Sequence, residues 1–251
     1  MNRQRWIFLS LVLSVLVMIC AVILVERYSF KKSKQQPSNS YLHSRITRFE
    51  IQGIDISQHQ GAIEWKDLSH PNPAKSIDFI FMRASVGMEK DTKFQENWKK
   101  ARKQNFTLGA YHYYWSNVNS AKQAAVFIKQ VDLKKGDLPP VLDIEDISDV
   151  QNKKSLRKGL KNWIRIIEAH YNVKPIIYSG EAFYRDVLMP DAYFKNYPQV
   201  WIANYNKVST PEIPWSFWQF TDRMPINGVK TLVDGNVYKG TKDSFKQLLI
   251  P

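Results

Sequence analysis

Cysteine is nearly absent: one residue in 251, Cys20, and it lies in the first apolar segment. The rest of the chain therefore holds no disulfide and no thiolate metal site. A core of this size needs neither, so the shortage fixes no compartment. Acidic side chains are also few, 23 against 36 Lys and Arg, which leaves a net charge of +13 and a pI near 9.6. Such a chain is drawn to polyanions, whether nucleic acid, anionic lipid or an acidic cell wall. Zinc-ligand spacings, an RNA-binding signature and a P-loop are all missing, which argues against nucleic acid as the partner. No long internal repeat is present either.

Charge itself is lacking from one stretch. Trp6 to Val25, WIFLSLVLSVLVMICAVILV, is an uncharged run of about twenty residues, enough to span a bilayer as a helix. A secretory signal has a shorter apolar core and a small-x-small cleavage site, and neither is found here. Residues 1–25 are therefore expected to be an uncleaved transmembrane anchor in the lipid bilayer, with secretion after signal cleavage as the alternative. Ile19, not a small residue, precedes Cys20, which speaks against a lipid-modified cysteine. Arg3 and Arg5 precede the run, while Arg27, Lys31, Lys32 and Lys34 follow it. A count of positive charges alone would keep the downstream side in the cytoplasm. Residues 26–48 are polar with few aliphatics and read as a linker. The folded domain is expected over 49–251.

Beyond the linker, β-rich and helix-periodic segments alternate. RFEIQGIDIS, IDFIFMRAS, FTLGAYHYYW, LPPVLDIE and KPIIYSG read as strands. Between them, Phe94, Trp98 and Ala101 form one helical stripe. Ser120 and Gln123 have the spacing of a capping box ahead of a second helix. Leu156, Leu160, Trp163, Ile164 and Ile167 form a third stripe, and a short helix is expected over Ala182 to Leu188. QVWIANY, SFWQFT and GVKTLVDGNVY then read as three strands with little room for helices. Five strand-helix units followed by three strands predict an α/β fold, a TIM-like barrel that lacks some outer helices.

The acids gather where such a barrel would use them. Asp143 and Glu145 in PPVLDIEDIS are two apart, so they share a face at a strand end, with Ile144 and Asp146 opposite. GIDIS delivers Asp55 and LVDGN delivers Asp234 from two other strands. Active sites of parallel barrels lie at the C-terminal ends of the strands. Four carboxylates converging there cannot all ionise freely, so at least one should keep its proton near neutrality. A protonated acid beside ionised ones is what glycosidic cleavage needs. A divalent-metal site and structural caps on the barrel are the competing readings. Tyr111, Tyr113, Trp115, Tyr178, Trp201, Tyr205, Trp218 and Phe220 fall at or near the same strand ends. Aromatic faces suit sugar rings, although strand alternation turns some of them towards the outer helices.

GIDISQHQGAIEW, FMRASVG, GAYHYY, PVLDIE, WIANY, WQFT and VDGN, in that order, resemble the glycoside hydrolase family 25 lysozymes, the Chalaropsis-type muramidases. The resemblance covers nearly all of Phe49 to Tyr238. It implies a flattened barrel and cleavage of the β-1,4 bond between N-acetylmuramic acid and N-acetylglucosamine in peptidoglycan glycan strands. It further implies Glu145 as proton donor, Asp143 as the acid that supports the attack, and Asp55 and Asp234 as flanking acids. Tyr113, Tyr178, Trp201 and Gln219 are implied to line the sugar groove. No metal or organic cofactor is required, and the domain is expected to be monomeric. One departure is Val86, where the family commonly has an acidic or amide residue before the glycine. A non-catalytic glycan-binding module and a chitin-cleaving glycosidase are the rival readings. Peptidoglycan lies outside the cytoplasmic membrane, so the resemblance places the domain there, against the charge count.

Overall fold

Eight strands close into a barrel in the computed structural model, which describes Ile46 and residues 48–104, 106–206 and 209–251. They are β1 (Ile51–Ile56), β2 (Phe79–Val86), β4 (Thr107–Tyr113), β5 (Val141–Asp143), β6 (Ile176–Gly180), β7 (Val200–Ala203), β8 (Phe217–Met224) and β9 (Val233–Tyr238). Neighbours from β1 through β8 are parallel, and β9 runs antiparallel between β8 and β1 to close the ring. A two-residue strand, β3 (Glu89–Lys90), folds back on the end of β2 outside the ring. Ile46–Pro251 forms one compact unit. The expected anchor, Trp6 to Val25, lies outside the described residues. Among the described residues no helix is long and apolar enough to cross a membrane.

Helices α1 (Phe94–Ala101), α2 (Ser120–Gln130) and α3 (Lys153–Tyr171) follow β2, β4 and β5. In α3, Leu156, Leu160, Trp163, Ile164 and Ile167 are fully buried, which is the expected stripe facing the sheet. Asn152 caps its start by accepting from the Ser155 amide at 2.9 Å. The segment after β6 is broken into α4 (Glu181–Phe183), a π-helical turn over Tyr184–Leu188 and α5 (Ala192–Lys195). After β1 there is only a 3-10 turn, Gln58–Gln60, and β7, β8 and β9 follow one another without helices. A last helix, α6 (Lys242–Leu248), was not legible in the sequence. Its Phe245 lies against Phe79 and Tyr238, with ring centroids 5.8 and 5.2 Å away, and fills the lower end of the barrel.

The expected capping box at Ser120 does not form. Asn119 caps α2 by accepting from the Lys122 amide, and Gln123 is fully buried instead. Its amide nitrogen donates to the carbonyls of Trp115 and Val118, and its oxygen accepts from the Trp115 amide at 2.9 Å. The residue is thus spent on pinning the loop that leaves β4. A capping box does form at Ser57 and Gln60, where the chain leaves β1.

Strand alternation divides the barrel into an apolar floor and a polar top. Inward positions low in the barrel carry Phe79, Phe81, Phe217 and Tyr238, and Phe81 stacks on Trp201 at 4.6 Å. The same inward parity carried upward reaches Asp55, Arg83, Asp143 and Gln219. On the outside of the sheet, a register shift between Arg83 and Ser85 turns Ser85 onto His112. Ser85 Oγ and His112 Nδ1 are 2.8 Å apart, the Nε2 lies 3.2 Å from Gln123 Oε1, and the ring stacks on Trp163.

Burial holds the His112 pKa down at about 4, below the ordinary 6.5. The ring is therefore neutral in the native state, while an unfolded chain takes up a proton below 6.5. The stability this confers is complete above pH 6.5 and is lost as pH falls towards 4, at about 1.4 kcal/mol per pH unit. Nitrogen NMR should find His112 neutral at pH 5.5 in the folded protein; a titration midpoint near 6.5 would contradict the assignment.

Candidate active site

Asp55, Asp143, Glu145 and Asp234 line one open cavity of about 270 Å³ at the top of the barrel. Asp55 lies near the end of β1 and Asp143 ends β5, as the sequence implied. Glu145 lies two residues beyond β5, whose start is trimmed because Pro139 and Pro140 have no amide to donate to the ladder. The backbone still extends there, since the Ile144 amide donates to the Tyr178 carbonyl at 3.0 Å. Asp234 reaches the same rim by a different route. It stands at the start of β9, and because that strand is antiparallel its beginning, not its end, is at the mouth.

Asp55 and Asp234 are direct partners across the β1–β9 ladder. Like charges set opposite each other repel, so one carboxyl keeps a proton. Burial first, and then the charge of Asp55, push Asp234 up to about 9. Asp55 is the better solvated of the two by the protein. Its Oδ2 accepts from Gln219 Nε2 and from Asn236 Nδ2, both at 2.8 Å. Burial raises the Asp55 pKa as well, but its two amide donors favour the charged form, so Asp234 is the favoured holder of the pair's proton.

The second pair is Asp143 and Glu145, whose carboxyls are within hydrogen-bonding reach of each other. Burial is the largest cause of a raised pKa in both. Asp143 is buried, while Glu145 is exposed as a residue and turns its carboxyl back into the cavity. Asp143 Oδ1 is buried and accepts no hydrogen bond from any described residue. Such an atom is a place for a proton, or for a donor brought by water or a ligand. Of the two, the deeper Asp143 is the favoured holder of the shared proton.

The aromatic and amide residues split into two groups. Tyr178 and Tyr205 donate to Gln219 Oε1 at 2.8 and 2.6 Å, and Trp201 Nε1 donates to Asn236 Oδ1 at 2.8 Å. Trp201, Tyr178 and Gln219 are therefore tied into the scaffold that aims Asp55. Trp201 is buried, with Phe81 stacked on its ring and Tyr178 against it, and like Tyr178 and Gln219 it forms part of the cavity lining. Tyr113 is half-buried and lines the cavity. Trp218 and Phe220 turn away from it, and Trp218 packs on Trp215 and Phe49. Val86 pairs with Tyr113 across the ladder and does not line the cavity.

Sequence reasoning passed over Arg83 and Asn236. Arg83 lines the acid cavity, and Asn236 sits two residues after Asp234 on the same face. Beside the cavity lies a shallower depression lined by Trp115, Asn117, Asp146 and Asp149. The large hydrophobic side chains exposed among the described residues are Met88, Trp115, Val150, Tyr205 and Leu232. All five stand in connections at the mouth. No group of three or more His, Cys, Asp or Glu among the described residues is arranged to hold a metal ion.

The sequence profile of glycosyl hydrolases family 25 matches residues 54–229, a stretch that includes Asp55, Asp143 and Glu145. The chain belongs to this family. It is a glycoside hydrolase, and the barrel described above is the family 25 barrel. The uncharacterized protein YegX of Escherichia coli strain K12 is 34% identical over 215 residues, covering 84% of this chain and 78% of that protein. A family 25 glycosyl hydrolase from Bacillus anthracis superposes with a TM-score of 0.70 at 30% identity, over 80% of this chain and 94% of the other. A bacterial lysozyme from Streptomyces coelicolor gives 0.71 at 25% identity, over 79% and 96%.

Proposed function

We propose that this family 25 hydrolase is a muramidase that cuts the β-1,4 bond between N-acetylmuramic acid and N-acetylglucosamine in peptidoglycan. The observation that carries this reading is the meeting of four carboxyls around one cavity, where burial and mutual repulsion favour a retained proton on Asp143 and on Asp234. A lysozyme among its structural relatives supports the choice of substrate.

In the proposed mechanism Glu145, at the open edge, gives its proton to the glycosidic oxygen as the bond breaks. Asp143 supports the attack from below. The acetamido N–H of the sugar supplies the donor that Asp143 Oδ1 lacks within the protein, and this holds the acetamido oxygen against the anomeric carbon. A hydrogen bond to the ionised form favours ionisation. Substrate therefore draws the shared proton off Asp143 and onto Glu145, where it is needed. Asp55, fixed by Gln219 and Asn236, adds negative charge beneath the developing oxocarbenium ion.

Digestion of purified cell walls tests the reading. Mass analysis should show fragments with N-acetylmuramic acid at the new reducing end. Fragments ending in N-acetylglucosamine, cleavage of chitin alone, or binding without cleavage would each reject it.

The domain is proposed to lie outside the cytoplasmic membrane, tethered through residues 1–25. Within the barrel, β1 begins at the end opposite the mouth, so the polypeptide enters on the side away from the cavity. Protease added to intact spheroplasts should digest the domain; full protection would overturn this placement.

A further inference from the structure

Arg83 is the one residue with a permanent positive charge in the lining of the acid cavity. Inward parity along β2 places it two residues above Phe81, at the level where the acids begin. Its side chain is 12% exposed, and Nε donates to Asp91 Oδ2 at 2.9 Å. Asp91 is itself buried and fixed. It accepts from the Gln58 amide, in the turn after β1, and from the Lys93 amide, each at 2.9 Å. A guanidinium held this firmly by an exposed ion pair would be surprising; here the carboxylate is 1% exposed and bound three ways.

We propose that Arg83 is the positioning cation of the site, clamped by Asp91 and set among the acids so that Asp143 is free to ionise when a glycan enters and Glu145 is left holding the proton. The inference rests on the muramidase reading for the step it serves, but its electrostatic core does not. The surroundings of Asp143 leave no other group for the task. Asp55 from β1, Asp234 from β9 and Glu145 beyond its own strand are acids, and each proton Asp143 loses adds to their crowding. Tyr111 and Tyr113 of β4, Tyr178 of β6 and Tyr205 after β7 can donate hydrogen bonds but bring no positive charge. His59, in the turn after β1, is exposed to solvent. The charge of Arg83 opposes the rise in the pKa of Asp143, while burial and the neighbouring acids drive it.

Arg83→Met keeps much of the length and removes the charge; Arg83→Gln is made alongside in case the first does not fold, and Arg83→Lys restores the charge. The readout is the midpoint of the Asp143 carboxyl carbon in a 13C NMR titration, together with the acid limb of kcat on purified glycan strands. Both should move up by about one pH unit in the uncharged variants, with kcat reduced about tenfold or more at the wild-type optimum. Arg83→Lys should bring both most of the way back. An unmoved midpoint in a folded Arg83→Met or Arg83→Gln protein overturns the inference, even if activity falls, because loss of packing alone does that. The carboxyl titration needs no substrate, so a wild-type protein that cleaves no wall would sink the functional reading and leave this test standing.

Discussion

Glu145→Gln should reduce wall cleavage by about 10²- to 10⁴-fold, the contribution a positioned proton donor makes to bond breaking. The amide has nearly the shape of the acid and cannot supply the proton. Glu145 is exposed as a residue, but its carboxyl is partly buried beside Asp143, so removing its charge should leave the fold no less stable than wild type. Substrate binding should survive, so the loss falls on kcat, with KM little altered. Steady-state digestion of purified glycan strands, with a thermal melt as control, checks both halves. Activity within about tenfold of wild type would remove Glu145 from the mechanism.

Asp143→Asn should lower kcat by about 10²-fold or more and at the same time stabilise the fold. The two effects share a cause. In the native state Asp143 is buried with a raised pKa, whereas in the unfolded chain it titrates as an ordinary carboxyl. Between those two values the folded state binds more protons, so this group's contribution to stability falls as pH rises. Asparagine removes that penalty at neutral pH and keeps a side chain that can hydrogen-bond. For a chain of this size each kcal/mol regained raises Tm by about 2–4 °C. The gain should be largest at pH 8 and shrink towards pH 4. A variant that melts lower than wild type at pH 8 would contradict a net cost of burying the charged acid at this position.

Much of this arrangement was legible because strand parity is a strong constraint. Asp55 could be placed at the rim, and Asp143 with Glu145 on one face, from the alternation of their neighbours alone. Asp234 is expected at a strand end beside the other acids and does reach that rim, but from near the start of β9, because that strand is antiparallel. Only the pairing with β1 shows this. Trp201 and Gln219 do line the cavity, as the family resemblance implies. Type does not say whether a polar tip is already used, and here both tips serve Asp55 directly or through Asn236. Arg83 did carry a signal, an Arg in phase with Phe79 and Phe81, whose inward face is otherwise apolar. The helix α6 carried almost none, since Phe245 is its single buried residue.

The claim at the centre is that Glu145 protonates a departing sugar oxygen. A leaving group that needs no proton isolates that step. Wild type and Glu145→Gln should be compared on the 2,4-dinitrophenyl β-glycoside of the disaccharide ending in N-acetylmuramic acid, and on purified glycan strands. The account predicts that the variant keeps activity within about tenfold of wild type on the dinitrophenyl glycoside, while on glycan strands it loses the 10²-fold or more expected of a missing acid. Equal losses on both substrates would show that Glu145 does something other than donate a proton, and would contradict the account.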